Sequence, residues 1–412
     1  MGKINYILNI LILSLFVFNL NTAQRAFAKE KAAAQLKDWT ILVFLNADND
    51  LDEYGVKDVN EMEKIGSSDR VNIITLLDRQ YGTAQKLYIS KDEDDTQINS
   101  TVLEEMGDYD MGNYLNLVKF VTWGIQNYPA RHYMVVIWSH GTGWWKKTGN
   151  EIKGISHDDQ SGNHISPEQL GEAMAMICQK TGKKLDILAM DACLMQMIEV
   201  CYEFKNYVHY CVASEDVEPY NGYAYDEFLG ALIREPAMTP EKLAKTIAMT
   251  FAIYYENIGK LSTLSVLDLS RLDAFIEKFE KLCIRLIELL PEKKIVSVLR
   301  NQVRANCQAF YLKTNIDSGH FIKLVLDNIH DEKTQTLATE ALALYSEGTN
   351  PLVIGNYLTG NSIVNATGLA IYFHSYMAPD KNYKTLNFSK NNSWSIFLDE
   401  YITAVTSYDW YE

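Results

Sequence analysis

Short unbroken apolar runs, rich in β-branched residues, alternate along the first half of the chain with stretches whose apolar positions recur every three or four residues. The runs at 39–45, 71–77, 133–138, 185–190 and 207–214 are short and lack apolar/polar alternation, so each predicts a strand buried on both faces. Residues 85–90 predict an added hairpin strand. Helical spacing is expected through 58–62, over 111–126, over 167–181, where Leu170, Met174 and Ile177 share one face, and over 195–205. Alternation of this kind predicts parallel neighbours joined by right-handed crossovers, hence an α/β sandwich with a mainly parallel sheet. The second half changes rhythm: amphipathic helices are expected over 240–256, 272–290, 335–347 and 394–407, with strands at 261–267 and 368–373 returning to the main sheet. No repeat or low-complexity linker separates the halves, so a helix-rich part at 233–412 is expected to pack on a core at 36–232.

Two of the strands end on reactive side chains. The run at 133–138 stops at Ser139-His140-Gly141-Thr142-Gly143, and the run at 185–190 stops at Asp191-Ala192-Cys193-Leu194-Met195. If these strands are parallel neighbours, both ends open on the sheet edge where α/β folds place their ligands. A histidine would then face a cysteine, with loop amides nearby, which is what nucleophilic catalysis by a thiol needs. Asp191, two residues before Cys193, shares its side of the strand end; its structural alternative is to cap a helix beginning at Cys193. The turn-rich stretch 215–223 follows the next strand and belongs to the same edge. No H-E-x-x-H, G-x-S-x-G, Walker A or dinucleotide-binding pattern is present.

Lys3, an apolar run over 7–18 and Ala26-Phe27-Ala28 form the pattern of a secretory signal peptide over 1–28, with no cysteine placed for a lipid anchor. The expected location is secreted or periplasmic. A net charge of −15 over 412 residues argues against nucleic acid or an anionic membrane as partner and suits basic ligands. Export permits disulfides, yet the six cysteines have no framework spacing and no C-x-x-C pair. Five sit in apolar contexts as small core residues, and only Cys193 follows a strand end. Asp48, Asp50 and Asp52 look like half of an EF-hand loop, but Glu53 occupies the turn-glycine position and no glutamate closes a twelve-residue loop. These carboxylates are expected to cap the next helix or to line the cleft.

Five stretches resemble the clostripain family of cysteine peptidases, which share the caspase-like fold with caspases, gingipains and legumains. They are Leu42-Val43-Phe44-Leu45-Asn46-Ala47-Asp48-Asn49-Asp50-Leu51, Trp138-Ser139-His140-Gly141-Thr142-Gly143-Trp144, His157-Asp158-Asp159-Gln160-Ser161-Gly162, Met190-Asp191-Ala192-Cys193-Leu194-Met195 and Gly368-Leu369-Ala370-Ile371-Tyr372-Phe373. The resemblance implies a caspase-like three-layer sandwich with Cys193 as nucleophile, His140 as general base and acid, and no obligatory third member. It also implies an oxyanion hole from the N–H groups of Gly141 and Cys193. Members that cut after Arg or Lys line the primary specificity pocket with acids. Asp191 matches one such acid, whereas the loop carrying the second has Asn221 at the matching place, with Asp216, Glu218 and Asp226 nearby.

Family members often mature by cutting themselves in the loop after the histidine, which here holds Lys146, Lys147 and Lys153; the alternative is that these are ordinary surface lysines. No cofactor is needed for the chemistry, although some members depend on calcium, to which Asp48, Asp50 and Asp52 are candidates to contribute. The expected function is an exported cysteine endopeptidase acting after Arg or Lys through a thioester. Its partners would be basic proteins or peptides, with no nucleic acid and no membrane after signal removal. The alternatives are an inactive module that binds basic peptides and a related peptidase cutting after Asn or Asp.

Overall fold

The computed structural model describes residues 36–144, 154–347, 349–379 and 381–408. The signal peptide expected at 1–28 and the lysines at 146, 147 and 153 lie outside the described residues.

The apolar runs become β1 (Lys37–Ala47), β2 (Val71–Arg79), β5 (Ala130–Trp138), β6 (Leu185–Asp191) and β7 (Val208–Ala213), with β3 (Ala84–Tyr88) and β4 (Thr101–Gly107) between β2 and β5. Later in the chain come β8 (Ser262–Asp268), β9 (Asn315–Asp317), β10 (Val353–Thr359) and β11 (Ala370–Tyr372). The main sheet runs β10-β8-β7-β6-β5-β1-β2-β3-β4. Its five central strands are parallel, and β3, β4, β8 and β10 each join antiparallel.

Successive residues of β1 enter opposite cores, which is why this strand is apolar without alternation. Leu42 and Phe44 pack with α2 (Tyr114–Asn127), α3 (Pro167–Thr181) and α4 (Ile198–Phe204). Ile41, Val43 and Leu45 pack on the other face with α1 (Asp52–Ile65), α5 (Tyr225–Arg234) and α6 (Pro240–Asn257). Two helical layers enclose one sheet, the three-layer α/β sandwich. Helix α3 has the bounds that its sequence predicts. Ser166 and Gln169 form a reciprocal capping box, Pro167 occupies the first helical turn, and Gly182 ends the helix in a left-handed conformation.

The helix-rich second half continues the same core. Phe279, Phe321, Phe373 and Trp394 make edge and tilted ring contacts at 5.3–5.9 Å between centroids, and the Trp394 Nε1–H donates to the Tyr372 carbonyl. No helix among the described residues is long and apolar enough to cross a membrane.

Three expectations need correction. The strand expected at 368–373 does not enter the main sheet; β11 pairs with β9, and Ala370 docks beside Met197. The edge place next to β8 goes instead to β10, whose sequence Val-Ile-Gly-Asn-Tyr-Leu-Thr lacks a clean strand pattern because the strand is half-exposed. The helix expected over 195–205 starts only at Ile198, since the Leu194 and Gln196 amides bond to the Asp216 and Ser214 carbonyls and hold 192–197 as a loop.

Candidate active site

β5 and β6 are parallel neighbours in a register that pairs Trp138 with Asp191. His140 and Cys193 each lie two residues beyond that last pair, so the matching strand ends deliver both to one edge. A pocket opens there, lined in part by His140, Cys193, Asp191, Glu218, Tyr220 and Gly222. Glycines allow the two loops to close on each other: a Cβ on Gly141 would collide with the Cys193 carbonyl, and one on Gly143 would sit 2.9 Å from the Leu194 carbonyl. Leu194, directly after the cysteine, has φ +65°, a left-handed conformation costly for a branched side chain.

The histidine is held by an acid. Its Nε2 lies 2.5 Å from Asp50 Oδ1. A carboxylate only accepts, so Nε2 carries the hydrogen, and in the neutral ring Nδ1 is left as the basic nitrogen. The loop carrying Asp50 is tied to the histidine loop through Asn49, whose amide donates to Ser139 Oγ and to the His157 carbonyl. His157 stacks on His164 and meets His140 edge-on at 6.5 Å. Burial, reinforced by both neighbouring imidazoles, pushes its pKa down to about 3, so it stays neutral beside His140.

The thiol bonds to the loop that follows β7. Cys193 Sγ accepts from the Glu218 N–H at 3.2 Å, and among the described residues no hydrogen bond joins it to His140. Burial raises its pKa, the Glu218 amide opposes this, and Asp216 and Asp191 add to the rise. The Gly141 and Cys193 amides have no backbone acceptor among the described residues.

Below the thiol the pocket is acidic. The Asp191 carboxylate accepts from the Tyr223 N–H at 3.1 Å and the Tyr225 hydroxyl at 2.9 Å. Both Glu218 carboxyl oxygens are buried, and the group lies against the Asp191 carboxyl and the Ala192 amide. Burial first, and for Glu218 the neighbouring Asp191 next, raises both acids, so the pair holds a proton rather than ionising fully. Asp58 lies behind them, bonded by Trp138 Nε1–H at 2.7 Å and also raised by burial and by Asp191. Lys57 is paired with Glu61 at 3.3 Å. Gly222, at φ +56°, has its missing Cβ position 2.8 and 2.9 Å from the two Asp191 oxygens, so only glycine leaves the carboxylate open to the pocket.

The sequence profile of the clostripain family of C11 peptidases matches residues 43–410. The chain belongs to the clostripain family. It is 27% identical over 212 residues to clostripain of Hathewaya histolytica, covering 45% of this chain and 39% of that protein, so the match spans about two fifths of the relative's length. Its fold resembles that of a secreted C11 cysteine protease from Bacteroides thetaiotaomicron, solved with an irreversible peptide inhibitor. That likeness has a TM-score of 0.66 and 19% identity, covering 88% of this chain and 99% of the other. An inactive zymogen C11 protease from Parabacteroides distasonis is similar at a TM-score of 0.62 and 21% identity, covering 88% and 98%.

Against the family expectations, the structure brings His140, Asp191 and Cys193 to one pocket, with Gly141 packed against the Cys193 carbonyl, but places the loop acids differently. Asn221 donates to the Tyr254 hydroxyl. Asp216 turns away, accepting from the Tyr311 N–H at 2.7 Å. Glu218 is the second acid of the pocket. Position along a turn-rich loop did not single it out among three neighbouring acids. Asp191 does not cap a helix at Cys193, because no helix begins there. The three aspartates of the β1–α1 loop diverge: Asp50 meets His140, Asp52 pairs with Arg79 at 2.6 Å, and Asp48 is buried. None of them caps α1, whose N-cap is Leu51.

Proposed function

We propose that this chain is an exported cysteine endopeptidase that hydrolyses peptide bonds after Arg or Lys. The observation that carries this reading is the buried Asp191–Glu218 pair beneath Cys193, two carboxyl groups with no basic partner among the described residues. A guanidinium or ammonium group entering the pocket supplies the missing charge and displaces the shared proton. An apolar or acidic side chain there would leave the pair uncompensated.

In the reaction, His140 Nδ1 takes the Cys193 proton as the sulfur attacks the scissile carbonyl carbon. The oxyanion is met by the Gly141 and Cys193 amides. His140 then protonates the leaving amine, and a thioester on Cys193 remains. Water, deprotonated by His140, attacks that thioester and releases the acid product with the thiol restored. Asp50 keeps the imidazole in the tautomer this cycle needs and stabilises the imidazolium.

Maturation by self-cleavage within residues 145–153, at Lys146, Lys147 or Lys153, fits the same specificity. The residues on either side of 145–153 are tied down, which lets the site survive a cut: the Thr142 N–H donates to the Gly154 carbonyl, and Trp144 packs on Tyr372 and Tyr383.

The test is a panel of fluorogenic peptides differing only in a terminal Arg, Lys, Asn or Asp, offered to the protein and to Cys193→Ala while the intact mass is followed. Turnover after Arg and Lys that vanishes in the variant is expected. Turnover confined to Asn or Asp would replace the specificity assigned here. Binding without turnover would leave an inactive peptide-binding module.

A further inference from the structure

The loop over 215–223 is fastened on both sides of Tyr220. The Tyr255 hydroxyl, from α6, lies 3.2 and 2.9 Å from the Pro219 and Gly222 carbonyl oxygens, which share its hydrogen. The Asn221 amide donates to the Tyr254 hydroxyl at 2.8 Å, and the Gly222 N–H closes the turn on the Pro219 carbonyl at 3.0 Å. Tyr220 stands within this turn and is 65% exposed. It lines the pocket that holds Cys193, Asp191 and Glu218. Its ring stacks on that of Tyr54, with centroids 5.4 Å apart and planes inclined by 19°. Tyr54 lies in the first turn of α1, and its N–H bonds to the carbonyl of Leu51, another residue of the pocket wall. The two rings therefore join α1 to the 215–223 loop beside the pocket.

A ring this exposed adds little to the core, and the turn that carries it is already held by Tyr254 and Tyr255. Its surface is available to whatever enters the pocket. The pocket is divided in character: the carboxyl groups of Asp191 and Glu218 supply its charge, whereas Leu51, Pro219 and the Tyr220 ring supply apolar surface. Lysine and arginine side chains carry the same division, a charged head on a methylene stem that gains by leaving water. Carboxyl groups alone would accept any small cation. An aromatic face beside them adds a demand for the stem.

We infer that Tyr220, braced by Tyr54, is the wall on which the methylene stem of the substrate's basic side chain packs, so that the site selects a long cationic side chain and not positive charge alone. The inference rests on the proposed assignment of Asp191 and Glu218 to a basic side chain. It gives the two rings a role in specificity that the acids do not cover.

The test uses methylguanidinium and butylguanidinium, which carry the same cation and differ only in the length of the alkyl stem. Each is titrated for its power to protect Cys193 from iodoacetamide in the full chain, with alkylation at Cys193 followed by peptide mass mapping. In the unsubstituted protein butylguanidinium should protect at a concentration lower by about tenfold or more, since each methylene moved out of water onto the wall contributes about fourfold. Tyr220→Ala should remove most of that advantage while leaving protection by methylguanidinium unchanged. Tyr220→Phe should keep the advantage, because the ring face does the packing, and Tyr54→Ala should reduce it by less than Tyr220→Ala does. An undiminished butyl advantage in Tyr220→Ala overturns the inference and leaves the acidic pocket standing. Equal weakening of both probes in that variant also overturns it, because Tyr220 would then act by holding the loop. Protection by neither probe in the unsubstituted protein contradicts the basic-side-chain reading itself, and the wall with it.

Discussion

Two buried acid clusters flank His140 on one sheet edge, and they differ in who can reach them. Asp191 and Glu218 line an open pocket beside the thiol, where Gly222 keeps the carboxylate uncovered. Asp48, Asp78 and Asp158 are sealed among three backbone segments. The same crowding of carboxyl groups therefore has different consequences: the open pair can take a cation delivered by a substrate, whereas the sealed cluster is left to hold protons, burial and its neighbours raising Asp78 to about 8. Access, more than charge, separates recognition from support.

This contrast can be broken at either end, and at the pocket the expected effects are largest. Cys193→Ala should abolish turnover and self-cleavage altogether, by about 10³-fold or more in kcat, read with an Arg peptide and by intact mass. Asp191→Asn should lower kcat/KM for Arg and Lys peptides by about two orders of magnitude, since it leaves the substrate cation facing a weakened partner. Glu218→Gln should act in the same direction but less. Gly222→Ala should cost about tenfold in kcat/KM, because its Cβ would press on both Asp191 oxygens in a backbone conformation that disfavours side chains. Asp50→Asn should lower kcat several-fold with little change in KM, as expected of a residue that positions the base without touching substrate.

At the sealed cluster the effect is on stability and is smaller. The Cys193→Ala protein should lose thermal stability as pH rises from about 4 to about 8. Folded Asp78 keeps its proton to about 8 whereas the ordinary value is 3.8, so across that window the unfolded chain binds fewer protons and rising pH favours it. Asp78→Asn should flatten the slope, most visibly in its upper part, measured by thermal midpoints across the pH range. A slope unchanged in the variant would show that Asp78 is ionised or solvated in the folded chain.

Much of the edge was legible in the sequence because the central strands are buried on both faces. Unbroken apolar runs located β1, β2, β5, β6 and β7, and the residues following them, His140 and Cys193, fell at matching ends. Capping chemistry set α3 to the residue. What sequence spacing did not reveal depends on contacts between distant segments. Glu218 and Asp216 are two residues apart in one loop, and the Tyr311 amide, from the second half of the chain, joins the Val217 amide in holding the Asp216 carboxylate away from the pocket. Asp78 and Asp158 carry no motif that links them to Asp48; the β1–β2 register and the loop at 154–166 bring them together. The edge strand β10 escaped because half-exposed strands have no continuous apolar pattern, and 368–373 kept a strand pattern while pairing elsewhere.

The central claim is that Cys193 attacks substrates whose basic side chain is held by Asp191 and Glu218. Its most direct measurement is covalent trapping with matched peptide electrophiles ending in Arg or Asn, with the adduct located by peptide mass mapping. The account predicts one adduct per chain, on Cys193, formed much faster with the Arg reagent, and a preference lost in Asp191→Asn. An adduct on another residue, or equal rates for the two reagents in the unsubstituted protein, would contradict it.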